Sequence, residues 1–123
     1  MIYTAKSIRT FIGAKNYKEC RAFYKALGFS EIELSPNMCL IKVNDQLAFY
    51  LQDAYEKKWI ENSMIFLEVD DVEVCEQDLK DRRLPETFAG VRLTDIKNLE
   101  WGRELFMHDP SGVLWHFGEF KKP

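Results

Sequence analysis

Few side chains in this sequence of 123 residues have types and spacing suited to chemistry. The candidates are two histidines, His108 and His116, three cysteines, Cys20, Cys39 and Cys75, and a serine next to a glycine, Ser111. Covalent catalysis needs a nucleophile within reach of a base, and the base held by a third group. Nothing here ties either histidine to such a nucleophile: the cysteines fall on predicted helix faces or mid-strand, and Ser111 belongs to a turn. Glycine-rich phosphate loops are absent. An odd cysteine count without C-x-x-C spacing argues against a disulfide framework and a zinc knuckle, so the thiols read as core residues. His108 directly precedes the turn, where exposure or a local hydrogen bond is expected. His116 stands between Trp115 and Phe117 and, in a strand, takes the opposite face from both. It reads equally as a polar contact or proton carrier and as a partly exposed strand residue.

What remains is non-covalent binding. Arg9 carries a planar fork suited to a carboxylate or another anion, although an ion pair with Glu68 would also satisfy it. Phe11, Tyr50, Met64 and Phe66 share a sheet face predicted to be open. They could line an apolar cavity in which aromatic groups stack on a flat ligand, or they could pack against the other half of the chain. Trp59 and Trp101 fall in predicted loops, where tryptophan often covers a ligand or a subunit contact. With His116, these residues form the candidate ligand-binding set. None is assigned to catalysis or to a metal, and no cofactor is expected.

These side chains depend on a small set of elements. Asn16 can cap a helix, Glu19 follows three residues later as in a capping box, and Cys20, Phe23, Tyr24 and Leu27 repeat at helical spacing. Gly28 is placed to end that helix. Strands are expected at 8–14, 29–34, 38–43 and 47–52, with Asn44-Asp45 as a tight hairpin turn. The second half repeats the order: a strand at 63–69, a cap at Asp70 or Asp71, a helix face of Val72, Cys75 and Leu79, then strands at 88–96, 103–108 and 113–119. Asp109-Pro110-Ser111-Gly112 suits the four positions of a type I turn. An offset of 55 residues superposes Phe11 on Phe66, Ile12 on Leu67, Asn16 on Asp71 and Cys20 on Cys75. The reading is an α+β fold, one domain over 1–123, made of two β-α-β-β-β modules at about 6–53 and 62–120. A helix covers one face of each sheet, and the uncovered faces, from two halves or two chains, would form a trough.

The sequence resembles the vicinal oxygen chelate superfamily, which includes glyoxalases, extradiol dioxygenases and bleomycin resistance proteins. The resemblance rests on Arg21-Ala22-Phe23-Tyr24-Lys25-Ala26-Leu27-Gly28-Phe29, on Phe66-Leu67-Glu68-Val69-Asp70-Asp71-Val72, and on Asp109-Pro110-Ser111-Gly112-Val113-Leu114-Trp115-His116-Phe117. Trp101-Gly102-Arg103-Glu104 looks like the bleomycin-resistance branch. The resemblance implies cupped mixed sheets, the glyoxalase/bleomycin resistance fold, and modules from two chains completing each trough in a homodimer. It also implies a divalent cation at positions that match Arg9, Tyr50, Met64 and His116. Arginine is a permanent cation, methionine is too soft for hard ions, and tyrosine is a poor ligand at neutral pH, so only His116 suits a metal. One imidazole does not make a catalytic centre. A metal-independent, bleomycin-resistance-like small-molecule-binding protein is therefore expected. The alternative is a metal-dependent lyase, epimerase or dioxygenase using Gln52, Glu68, His108 or Glu119, and whether the chain is an enzyme stays open.

Composition narrows the partners. Apolar residues are 46% and charged residues 30% of the chain, and no apolar run approaches the length of a membrane span. Seventeen basic and twenty acidic residues give a net charge of −3 with no basic block, so nucleic acid is not an expected partner. The amino terminus shows no secretion signal, and the expected location is cytoplasmic.

Overall fold

The structure, a computed structural model, describes residues 2–123. The elements run β1 (Phe11–Gly13), α1 (Tyr17–Ala26), β2 (Ser30–Ser35), β3 (Met38–Lys42), β4 (Ala48–Gln52), α2 (Lys57–Glu61), β5 (Met64–Glu68), α3 (Val72–Asp81), α4 (Leu84–Thr87), β6 (Arg92–Leu93), β7 (Lys97–Asn98), β8 (Gly102–His108) and β9 (Leu114–Phe120). Two mixed sheets result, ordered β1-β4-β3-β2 and β5-β9-β8-β6, with β7 also pairing with β8. In each, the first strand runs parallel to the last, Phe11 opposite Tyr50 and Phe66 opposite His116. Phe11 and Phe66 thus hold the same place in their sheets.

Local chemistry explains the longer elements. Asn16 Oδ1 accepts the Glu19 N–H at 3.0 Å and starts α1, while Asp71 Oδ1 accepts the N–H groups of Glu73 and Val74 and starts α3. These contacts satisfy donors that the first helical turn leaves open. Gly28 ends α1 with φ at +104°, a region where a side chain would be strained. Gly112 N–H closes the turn on Asp109 O at 3.1 Å, and Asp109 Oδ1 accepts the N–H groups of Ser111, Gly112 and Val113. That turn sets the β8–β9 register, with His108 opposite Leu114.

One apolar cluster joins the two sheets on their helix-bearing sides. At its centre the fully buried Tyr24 donates to Asp109 Oδ2 at 2.7 Å and accepts from Trp115 Nε1 at 3.0 Å. Phe49 of β4 meets the Trp115 ring of β9 edge-on at 5.5 Å. Burying these three groups costs little because each is paired with another.

Several expectations need correction. The strand expected at 8–14 contracts to Phe11–Gly13: Ile8 is fully exposed and has no neighbouring strand to reward its alternation. The hairpin turn is the three residues 44–46, because Val43 and Leu47 still pair and Asn44 Oδ1 accepts from Gln46 and Leu47 N–H. Of the strand expected at 88–96 only Arg92–Leu93 forms. Its apolar signal came from Phe88, which packs edge-on against Phe23, and from buried Val91, both serving the core outside any sheet. Helices α2 and α4 were not anticipated, and Trp59 sits on α2, not in a loop.

Candidate functional site

Each sheet keeps one face free of helices, and the candidate residues divide between the two faces. On the first, alternation puts Phe11 of β1 and Tyr50 of β4 on the same side, and the parallel register stacks their rings at 4.7 Å. Arg9, just before β1, donates to the Tyr50 hydroxyl at 3.1 Å and lies 5.8 Å from the centre of that ring. Arg9 therefore takes Tyr50 as its partner, and the pairing with Glu68 considered above is absent. A phenol does not neutralise a guanidinium, so the positive charge stays available to an anion.

The second face is richer. Phe66 of β5 lies over Gly118 of β9, where a Cβ would collide with its ring. It contacts Trp101 at 5.7 Å, Phe120 at 5.7 Å and the His116 ring at 6.1 Å. Met64, on the same strand, is largely exposed. His116 stands where alternation puts it, opposite in direction to the buried Trp115 and Phe117. Its Nδ1 lies 2.9 Å from Oε1 of Glu104, a carboxylate on β8 that is only 6% exposed. Phe106, directly across the ladder from His116, meets the imidazole edge-on at 4.8 Å. Sequence reasoning missed Glu104 as a site residue. The signal was present: the turn at 109–112 fixes a register in which Glu104 is diagonal to His116 across the hairpin.

Among the described residues no aromatic contact joins the two faces. Arg9 and Phe66, one from each, do line a common cleft of about 650 Å³ between the segment preceding β1 and β5, together with Leu47, Ala48 and Leu67. Tyr50, Met64, Trp101 and His116 lie outside it. Trp59, 74% exposed, borders a separate hollow of about 80 Å³ beside Phe11.

The four positions at which the resemblance implies a metal carry a poor donor set for a cation. Arg9 and Tyr50 are bonded to each other, and Met64 and His116 supply one thioether and one imidazole. Among the described residues no three or more His, Cys, Asp or Glu side chains are grouped to hold a metal ion. The alternative ligands fare no better. Glu119 is held by the Val72 N–H and by Arg103, which keep its carboxyl below the usual range. Gln52 approaches Met38 Sδ at 4.0 Å. His108 is half-buried with Nδ1 unpaired, neither exposed nor bonded in the turn as expected, and burial lowers its basicity, helped by the Arg92 charge. Burial also pushes the Cys20 thiol up to about 12 and the Cys75 thiol up to about 11, which removes them as nucleophiles at neutral pH.

No protein-family model matches the sequence, and no curated protein matches it either. Solved structures do match the fold. A bleomycin-binding protein complexed with bleomycin superposes with a TM-score of 0.75 at 20% identity, covering 95% of this chain and 100% of that one. A glyoxalase/bleomycin resistance protein from Catenulispora acidiphila gives 0.74 at 16% identity, with 95% and 100% covered. A lactoylglutathione lyase from Agrobacterium tumefaciens gives 0.68 at 17% identity, with 95% and 96% covered. The chain has the glyoxalase/bleomycin resistance fold, the architecture expected of the vicinal oxygen chelate superfamily.

Proposed function

We propose that this chain is a cytoplasmic small-molecule-binding protein that acts as a homodimer without a resident metal ion. The observation that carries the reading is the exposure of both helix-free faces: Phe11 is 55%, Phe66 44% and Met64 65% exposed in the single chain. Aromatic clusters on sheets normally pack against something. A second copy that brings the first face of one chain to the second face of the other would cover them and enclose a cup. Arg9 and Tyr50 would then come from one chain and Phe66, Trp101 and His116 from its partner, so the cup favours a flat, partly aromatic molecule with an anionic or strongly polar group. Trp59, beside Phe11, would edge the cup. The neighbour that carries bleomycin supports a binding role for this fold. The absence of a fitting donor set at Arg9, Tyr50, Met64 and His116 supports binding without a metal.

Sedimentation should give a dimer at micromolar concentration, and titration should favour anionic over cationic aromatic compounds, with the preference lost in Arg9→Ala. A stable monomer, equal binding of all charge types, or about one metal ion per purified chain that is lost in His116→Ala would contradict the reading.

A further inference from the structure

We infer that Glu104 and His116 form a hydrogen-bond-accepting subsite for a phenolic O–H or an equivalent ring N–H on the bound molecule. The inference rests on the binding function proposed above and names the group that one wall of the cup recognises. A neutral imidazole has one donor and one acceptor nitrogen, and the hydrogen bond made by one fixes the role of the other. Here Nδ1 faces Glu104 Oε1 at 2.9 Å, and among the described residues that carboxylate has no other side-chain partner. Lys97, paired with Glu104 across the β7–β8 ladder, sends its ammonium over the Phe106 ring instead. In the neutral tautomer that this subsite requires, Nδ1–H donates to the nearly buried carboxylate, and Nε2, which has no hydrogen-bond partner among the described residues, carries the lone pair. Phe106 edge-on and Phe66 on the other side hold the ring in place, so the lone pair is pre-oriented.

The same walls set the ligand's shape. Phe66, Trp101 and Phe120 form an apolar cluster that reaches the His116 ring through Phe66, with Trp101 and Phe120 in contact at 5.1 Å. A flat ring lying on that cluster presents its in-plane O–H or N–H toward the imidazole. His116 is the binding residue. Glu104 is a positioning residue, acting only through the tautomer it selects.

The test uses 2-naphthol and 2-methoxynaphthalene, which differ only in the proton offered to Nε2. Calorimetric titration of the full-length protein should show the naphthol binding about tenfold more tightly, the scale of one hydrogen bond to an oriented acceptor. His116→Phe should abolish the preference for the naphthol over the ether, bringing the two affinities to within about twofold of each other. Glu104→Ala should weaken the preference, and Glu104→Gln should restore it, because the amide oxygen still accepts from Nδ1. Nitrogen-15 spectra of the free protein should show His116 as the Nδ1–H tautomer. Equal affinity for the two compounds overturns the subsite and leaves the binding function standing, whereas binding of neither overturns both. An Nε2–H tautomer, or a preference that survives His116→Phe, also overturns it.

Discussion

The two sheets are one scaffold carrying two different faces. Both set the last strand between the first strand and the strand that precedes the last, both place a phenylalanine of the first strand opposite an inner residue of the last, and both begin their helix with a side-chain cap at the same offset. Their open faces diverge. The first presents a Phe11–Tyr50 stack with a cationic Arg9, and the second presents an aromatic platform around a carboxylate-bound histidine. The helix-bearing sides are constrained by a shared core, so they repeat. The open sides are constrained only by what they meet, so they are free to specialise.

That contrast is broken most severely where the modules meet. Tyr24→Phe would strand Asp109 Oδ2 and the Trp115 N–H inside the core, and a loss of about 2–4 kcal/mol in stability is expected for two buried polar atoms left unpaired. Denaturant unfolding followed at the tryptophans and by circular dichroism should still show one transition. Two separate transitions would mean that the modules are independent and that the shared core is not what holds them alike.

The caps sharpen the comparison at lower cost. Asn16→Ala and Asp71→Ala should each cost about 1 kcal/mol, with the larger loss at Asp71, whose carboxylate accepts two N–H groups at the positive end of the helix dipole. Equal losses, measured by urea denaturation, would make the modules more alike than their contacts indicate.

The smallest effect is on pH dependence. In the first module Glu31 of β2 accepts from Arg21 and, with Lys25 nearby, its carboxyl is held down at about 2. In the second, the Val72 N–H and Arg103 lower Glu119 in the same direction. Both carboxyls are lowered in the folded state, so their stabilisation is present above the unfolded carboxylate range. It is lost as pH falls through the folded values. Between about pH 5 and about pH 2, Glu31→Gln should therefore lose less stability than the wild type. A wild-type-like acid profile in that variant would remove Glu31 from the account.

Much of this was legible in the sequence because the signals are local. The Asn16 and Asp71 caps, Gly28 and the 109–112 turn act through neighbours within a few residues, and α1, α3 and the β8–β9 hairpin formed where expected. Elements decided by distant contacts were not legible. Phe88 and Val91 look like strand residues until Phe23 and the core claim them, and Trp59 looks like a loop residue until α2 forms beneath it. On the open faces, alternation found Phe11, Tyr50, Phe66 and His116. Arg9's preference for Tyr50 and the reach of Glu104 to His116 needed the exact strand register.

The central claim is that the helix-free faces bind a flat aromatic molecule without help from a metal. Its most direct test is equilibrium titration of chelator-treated protein with an aromatic carboxylate, followed by tryptophan fluorescence. Saturable binding at one molecule per chain, weakened about tenfold or more by Tyr50→Ala and by Phe66→Ala in protein that remains folded, is the expected result. Binding that appears only after a divalent cation is added back, or that neither substitution weakens, would contradict it.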